Sequence, residues 1–142
     1  MLVVDAHLDL AMNAVMWNRD LDLSAHETRQ IEREEGFTEK GRAAGTVGFP
    51  DLRAGEIGLV FATVIARKNH GQNSGIDFRT HEIAFAQAQA QLAYYQEIER
   101  QGVIRIIRTA SDLAAWHSAW EADPVAAPFG FVPDGNTLPN AR

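Results

Sequence analysis

A histidine and an aspartate stand two positions apart where an apolar run near the start of the chain ends. The run reads Val3-Val4-Asp5-Ala6-His7-Leu8-Asp9. Because side chains along a strand alternate with a period of two, His7 and Asp9 are predicted to point the same way. A neutral imidazole and a carboxylate on one face suit a single divalent cation. An H-x-D triplet also arises by chance, and the competing interpretation is a strand end at which Asp9 caps the next segment.

The segments around this triplet predict an α/β fold with parallel strands. Leu2–Val4 is read as a short buried strand, with His7 and Asp9 just past its end. Residues 59–66 are continuously apolar and partly β-branched, which is typical of a strand covered on both faces of a parallel sheet. A long helix over residues 80–101 follows, so strand, loop and helix make half of a βαβ unit. Catalytic groups of (β/α)₈ barrels gather at such strand ends.

Two of the predicted helices differ in which side chains they offer to a core. Ser24 and Glu27 have capping-box spacing, and the helix that they open is so polar, with Ile31 as its main apolar contact, that we interpret it as a solvated insertion. The long helix carries an apolar stripe, while its glutamines and glutamates suit the surface. That stripe comprises Ala84, Ala88, Tyr95 and Ile98, with Phe85 and Leu92 alongside, and the surface set includes Gln87, Gln89 and Gln91.

The last third of the chain predicts two short extended segments around one helix. Residues 103–107 form a short strand or an extended approach, and Ser111 is predicted to cap a helix. Leu113, Trp116 and Trp120 share one face of that helix and indicate core packing. Residues 129–132 begin a third strand, and residues 133–142 follow as an irregular tail of turn-forming residues.

Two other side chains are candidates for the neighbourhood of the triplet. Trp17 either lines a pocket or packs at the core or its rim. His70 lies in a polar loop after the second strand, where it either approaches the site or is solvated. The glycine-bearing residues 38–49 lack the spacing of a phosphate loop, and His26-Glu27 lacks the second histidine of an H-E-x-x-H zinc motif.

Composition narrows the classes of function. The chain has 142 residues, which suits one domain, and 46% of them are hydrophobic, as in globular proteins. A formal net charge of −6 argues against nucleic acid as a partner. The absence of cysteine excludes disulfides and thiolate metal ligands. Because we find neither a signal peptide nor an apolar run long enough for a membrane span, we expect a cytoplasmic protein.

Four segments, which form three blocks in order along the chain, resemble the membrane (renal) dipeptidase family, zinc peptidases of the amidohydrolase superfamily. Val4-Asp5-Ala6-His7-Leu8-Asp9-Leu10 is similar to its first-strand motif. The segment from Asp51-Leu52-Arg53-Ala54-Gly55 to Val64 is similar to its second-strand region, in which a leucine-arginine turn precedes a buried strand. Residues 106–113 resemble its approach to the third strand, and Pro128-Phe129-Gly130-Phe131-Val132 the strand itself.

The resemblance implies a (β/α)₈ barrel that holds two zinc ions and hydrolyses dipeptides. His7 and Asp9 would be ligands of the first zinc. A glutamate after the third strand bridges both metals in the family, two later histidines hold the second, and a later aspartate handles the proton. A metal-bound hydroxide attacks the peptide carbonyl, which the metals also polarise.

This sequence departs from the family where the bridging glutamate would stand. After Val132 it reads Pro133-Asp134-Gly135-Asn136, with no glutamate. Asp134 is either a substitute ligand or, before glycine, a turn residue. A whole barrel needs about 250 residues. We therefore expect residues 1–132 to be the N-terminal part of the barrel. This part would contain the first two to three βα units and a polar helical insertion. The chain would then be a truncated or frameshifted form of the protein.

With two of its ligands, this chain is expected to bind zinc weakly and not to hydrolyse dipeptides alone. Its unpaired strand edges are expected to cause homo-oligomerisation, rearrangement or misfolding. Two alternatives stay open. One is a non-catalytic fragment or interaction domain, and the other is a different metal-dependent amidohydrolase, although many of those carry histidine where this chain has Asp9.

Overall fold

The computed structural model describes residues 1–68 and 77–133, which form an α/β fold around a parallel sheet. The strands of that sheet are β1 Val3–Leu8, β2 Ile57–Ala62, β5 Ile104–Ile106 and β6 Phe129–Pro133, and the short strands β3 Arg67–Lys68 and β4 Asp77–Phe78 pair separately. The helices are α1 Leu10–Trp17, α2 Ala25–Glu34, α3 Phe49–Ala54, α4 His81–Arg100 and α5 Ala110–Ala122. Within the described residues, no helix combines the length and apolar character needed to cross a membrane.

The main sheet has the strand order β1-β2-β6-β5, and every pairing in it is parallel. This confirms the α/β prediction with parallel strands. β6, the predicted third strand, pairs directly with β2, and it includes Pro133, which we had assigned to the tail. The segment that approaches it forms β5, which lies on the far side of β6 and therefore at an edge of the described sheet. Residues 134–142 lie outside the described part of the chain.

The reversal of strand order places α4 and α5 against opposite faces of the sheet. Tyr95 of α4 packs edge-on against Phe131 of β6, with ring centroids 5.6 Å apart. A methyl group added at the neighbouring Gly130 would lie 2.7 Å from both Trp116 of α5 and Leu59 of β2. Adjacent residues of a strand face opposite sides, so the two helices contact opposite sides of β6. Right-handed crossovers require this arrangement when the chain passes over one strand position and then returns.

Strand β2 is shorter and more open than its apolar sequence predicts. It ends at Ala62, whereas the sequence predicted a strand to Ala66. Its residues on the α4 side are buried, but Phe61 on the other side is 38% exposed. The prediction of cover on both faces is therefore wrong for this end of β2, because the tryptophans of α5 lie beside Gly58 and Gly130, toward the other end of the strand.

Helix α4 buries a stripe that includes a glutamine. Ala84, Tyr95 and Ile98 are buried as predicted, while Phe85 is 64% exposed. Gln91, which was assigned to the surface, is completely buried. Thr80 caps the helix as predicted and Gly102, with φ of +81°, follows its end.

Helix α2 begins with the predicted capping box, in which Ser24 and Glu27 each satisfy a backbone donor of the other. The side chains that it buries differ from the prediction. Ile31 is exposed, and Thr28 and Glu32 are buried. The interpretation of α2 as a solvated insertion is wrong, because its buried face is polar rather than absent.

Helix α5 begins two residues earlier than predicted. Thr109, not Ser111, is the N-cap, because Thr109 and Asp112 form a reciprocal capping box. Trp116 and Trp120 are buried as expected, but Leu113 in the first turns is exposed.

Candidate functional site

The structure brings His7 and Asp9 together at the carboxyl end of β1. The prediction of a short buried strand at Leu2–Val4 is wrong, because β1 runs from Val3 to Leu8 and is only partly buried. His7 is therefore its penultimate residue, and Asp9 is the N-cap of α1. His7 Nε2 lies 3.5 Å from Asp9 Oδ1. The imidazole is 70% exposed and the carboxylate is 29% exposed, so a solvent ion has access to both.

Thr63 orients the Asp9 carboxylate. It follows the last residue of β2, the strand next to β1, and its hydroxyl donates to Asp9 Oδ1. The Thr63 backbone N–H donates to the carbonyl of Leu8 over 3.3 Å, which fixes the two strand ends together. Sequence reasoning did not select Thr63. The available signal was its position, because neighbouring parallel strands end at the same edge of a sheet.

Two buried polar residues of α4 hold the segment in which Thr63 lies. The hydroxyl of Tyr95 accepts from Ala11 N–H over 3.1 Å and donates to the carbonyl of Thr63 over 2.9 Å. Gln91 accepts from Ile65 N–H over 3.0 Å and donates to the Ile65 carbonyl over 2.7 Å. These bonds give the Thr63 carbonyl and both backbone groups of Ile65 partners where the chain leaves the sheet after Ala62.

A cavity of about 380 Å³ opens beside His7 and Asp9, which is a volume typical of small-molecule sites. Its opposite wall is formed by the indole of Trp17 and by the segment between α2 and α3. The structure therefore places Trp17 at a pocket, one of its two predicted positions. The residues that line the cavity are His7, Leu8, Asp9, Met12, Asn13, Trp17, Arg19, Gly41, Ala44, Gly45, Thr46 and Val47.

A buried ion cluster supports the wall of this cavity. Glu32 accepts two hydrogen bonds from Arg19, at 2.9 and 3.0 Å, one from Arg42 at 2.9 Å and one from Ala43 N–H at 2.6 Å. Burial acts to raise the pKa of Glu32, but these hydrogen bonds outweigh it and hold the pKa at about 2. The Arg19 and Arg42 guanidinium groups also stack on Trp17, with centroid distances of 5.3 and 4.9 Å.

The His7 and Asp9 side chains fit one zinc ion. Zinc takes imidazole nitrogen and carboxylate oxygen at about 2.0–2.2 Å. Two such donors on one ion lie at most about 4 Å apart, so the observed 3.5 Å is compatible with shared coordination. Residues 1–68 and 77–133 contain no group of three or more histidine, cysteine, aspartate or glutamate side chains arranged for a metal.

The other candidate residues lie elsewhere or outside the described chain. His70 and Asp134 fall among the residues that the structure does not describe. His81 is exposed in the first turn of α4. His117 lies on α5, where its Nδ1 is 3.6 Å from Glu121 Oε2, with both side chains largely in solvent.

Arg53, from the leucine-arginine turn of α3, lies away from the cavity and has a structural role. Its guanidinium donates to the carbonyls of Pro124 and Ala127, which lie between α5 and β6. It also stacks on Phe129, 4.0 Å from the ring centroid. This part of the motif therefore ties α3 to the approach to β6.

The chain was compared with family models, curated proteins and solved structures. None of the three comparisons produced a match.

Proposed function

We propose that this chain carries part of a zinc site of a dipeptidase-type metallohydrolase, with His7 and Asp9 as ligands of one zinc ion. The observation that carries the proposal is the 3.5 Å approach of these two side chains at the carboxyl end of a parallel strand, beside a cavity. In α/β enzymes with parallel strands, ligands bind at this edge of the sheet.

The contact between Thr63 and Asp9 supports a metal-binding role for this carboxylate. Carboxylates that bind metals are themselves held by hydrogen bonds from outer residues. Thr63 supplies such a bond and is itself buried. The exposed pair His117 and Glu121 has a similar separation, but it lies on one helix and does not line the cavity described above. This difference favours the pair at β1.

As part of this proposal, the α/β fold of the chain is the first part of a (β/α)₈ barrel. The adjacent strands β1, β2 and β6 would be its first three strands, since barrel strands follow one another in sequence order. β5 now occupies the edge of β6 at which a fourth strand would pair, and α5 covers part of the face that would line the barrel. Completion of the barrel would therefore require β5 and α5 to move.

In this site zinc would activate a bound water and polarise a peptide carbonyl. The chain's own residues would hold the ion and shape its surroundings. His7 would bind through neutral Nε2, Asp9 would contribute a carboxylate oxygen, and Thr63 would fix the orientation of that carboxylate. Two ligands are fewer than the three of a typical catalytic zinc, so we expect weak binding and no dipeptide turnover by the chain alone.

A non-catalytic interaction domain is the second candidate. The placement of α5 favours it, because α5 already packs against the sheet face that a complete barrel would enclose. A different metal-dependent amidohydrolase stays possible on the same two ligands. Substrate assays across dipeptides and cyclic amides would separate these hydrolases if a complete site were assembled.

Zinc addition to the ¹⁵N-labelled protein, followed by NMR, tests the location of the site. We expect the signals of His7, Asp9 and Thr63 to shift, and those of His117 and Glu121 to stay unchanged. Shifts confined to α5, or no specific shifts at all, would contradict the proposal.

A further inference from the structure

The Arg19–Glu32–Arg42 cluster is unusual for its burial and for its place beside the candidate site. Glu32 is a buried charged residue, at 3% exposure. The Arg19 side chain is 6% exposed. Burying such ions costs several kcal/mol each, and an apolar replacement is often as stable or more so. Stability alone therefore gives a weak reason for this cluster.

A continuous chain of hydrogen bonds leads from Glu32 to Asp9. Arg19 binds Glu32 through Nε and Nη2, and its Nη1 donates to Asn13 Oδ1 over 2.6 Å. Asn13 Nδ2 then donates to the backbone carbonyl of Asp9 over 2.8 Å. Because a guanidinium can only donate, Arg19 fixes the amide of Asn13 with its oxygen toward Arg19 and its nitrogen toward Asp9.

The same carboxylate also holds the opposite wall of the cavity. Ala43, which has a φ of +52°, donates its N–H to Glu32 over 2.6 Å. Arg19 Nη2 donates to the Gly41 carbonyl over 2.7 Å, and Arg42 donates to the Trp17 carbonyl over 2.7 Å. Glu32 is thus linked to Asp9 on one side of the cavity. On the other side it is linked to the backbone of Trp17, Gly41 and Ala43.

We propose that Glu32 is a positioning residue, which acts through Arg19 and Asn13 to set the place of Asp9 relative to the cavity wall. It does not itself contact the metal position. The expected effect of Glu32 on zinc affinity rests on the proposed function, whereas the hydrogen-bonded link between Glu32 and Asp9 does not. Removal of the Glu32 charge deprives Arg19 of its carboxylate partner, so the Asn13 amide loses its fixed orientation. The Asp9 carbonyl then loses its bond from the Asn13 side chain, while its bond from Asn13 N–H remains.

The first test uses the metal-free protein. We expect Glu32→Gln to accelerate hydrogen exchange at the Asn13 side-chain amide, while the backbone amides of β2 keep their protection. Glu97→Gln is the matched control, because Arg100 and Gln101 lower the pKa of Glu97 to about 2 at an exposed position of α4. An unchanged Asn13 exchange rate in Glu32→Gln would overturn the proposal, whether or not zinc binds.

The second test measures zinc affinity in a double-mutant cycle. Asn13→Ala and Glu32→Gln should each weaken zinc binding by about 10-fold, the lower end of losses seen for outer residues. Because both act through the same bond to Asp9, the double variant should lose little more than either single variant. Additive losses of zinc affinity in the double variant would contradict the proposal. If zinc binds the wild-type protein at His7, an unchanged zinc affinity in Glu32→Gln would also contradict it. If the wild type binds no zinc, the proposed function fails and the exchange experiment alone decides the positioning role.

Discussion

Asp9 is held by hydrogen bonds both at its side-chain carboxylate and at its backbone carbonyl. Its carboxylate accepts from Thr63 and faces His7, while its backbone carbonyl accepts from the side chain of Asn13 and from Asn13 N–H. A side chain held from both directions loses less conformational freedom when it binds an ion.

Thr63→Val removes the hydroxyl that binds Asp9 and keeps the side-chain volume. We expect zinc affinity to fall by about 10-fold, with a loss of about 1 kcal/mol in the free energy of unfolding. Isothermal titration and urea unfolding measure the two effects. Thr28→Val, at a similarly buried threonine of α2, is the control and should leave zinc affinity unchanged.

Glu32 should make stability depend on acid pH. Its pKa of about 2 in the folded protein lies below the ordinary value of 4.5, so folding favours the ionised form. The contribution is complete above pH 4.5 and is lost as pH falls toward 2. Urea unfolding across this interval should show a steeper loss for the wild type than for Glu32→Gln. Equal slopes would show that Glu32 does not contribute in this way.

At the scale of elements, helices α2 and α4 each bury one face. The helical spacing of that face could be predicted from the sequence, but the burial of polar residues on it could not. On α4 the buried residues are Ala84, Gln91, Tyr95 and Ile98, with Ala88 half-buried between them, and on α2 they are Ala25, Thr28 and Glu32. Both sets have the three- and four-residue spacing of a helix face. Sequence reasoning selected apolar residues, assigned Gln91 to the surface and interpreted the whole of α2 as a solvated insertion. The partners of Gln91 and Glu32, the Ile65 backbone and Arg19, are distant in sequence, so nothing local indicated burial.

Gln91→Leu should destabilise the protein although it makes α4 more apolar. The substitution leaves the N–H and carbonyl of Ile65 without their partner, which we expect to cost about 2 kcal/mol. Gln89→Leu, on the exposed side of the same helix, should change stability by less than about 0.5 kcal/mol. Urea unfolding of the two variants provides the measurement. A smaller loss for Gln91→Leu than for Gln89→Leu would refute the assigned role.

At the scale of the whole molecule, the sheet is open at both sides of its described part. The sequence predicted parallel strands, a first strand close to His7 and a third strand that begins at Phe129, although the first strand runs on to Leu8 instead of ending at Val4. It did not predict that β5 would lie beyond β6 or that α5 would cross to the other face. Strand order depends on contacts between distant segments, and short apolar runs such as residues 104–106 do not indicate which neighbour they pair with.

The edge at β1 should support self-association. Within the described residues, β1 pairs on one side only, and its Val4 is 49% exposed. We expect sedimentation measurements to show association that increases with concentration and that Val4→Lys reduces, since lysine on an edge strand opposes strand pairing. Val125→Lys, at an exposed position outside the strands, should have no effect. A monomeric wild type with a cooperative melt would argue against an open partial barrel.

Zinc titration of the wild type, His7→Ala and His117→Ala tests the central claim most directly. The account predicts weak binding by the wild type, loss of that binding in His7→Ala, and unchanged binding in His117→Ala. Sub-micromolar affinity that survives His7→Ala, or hydrolysis of a dipeptide by the wild-type chain alone, would contradict it.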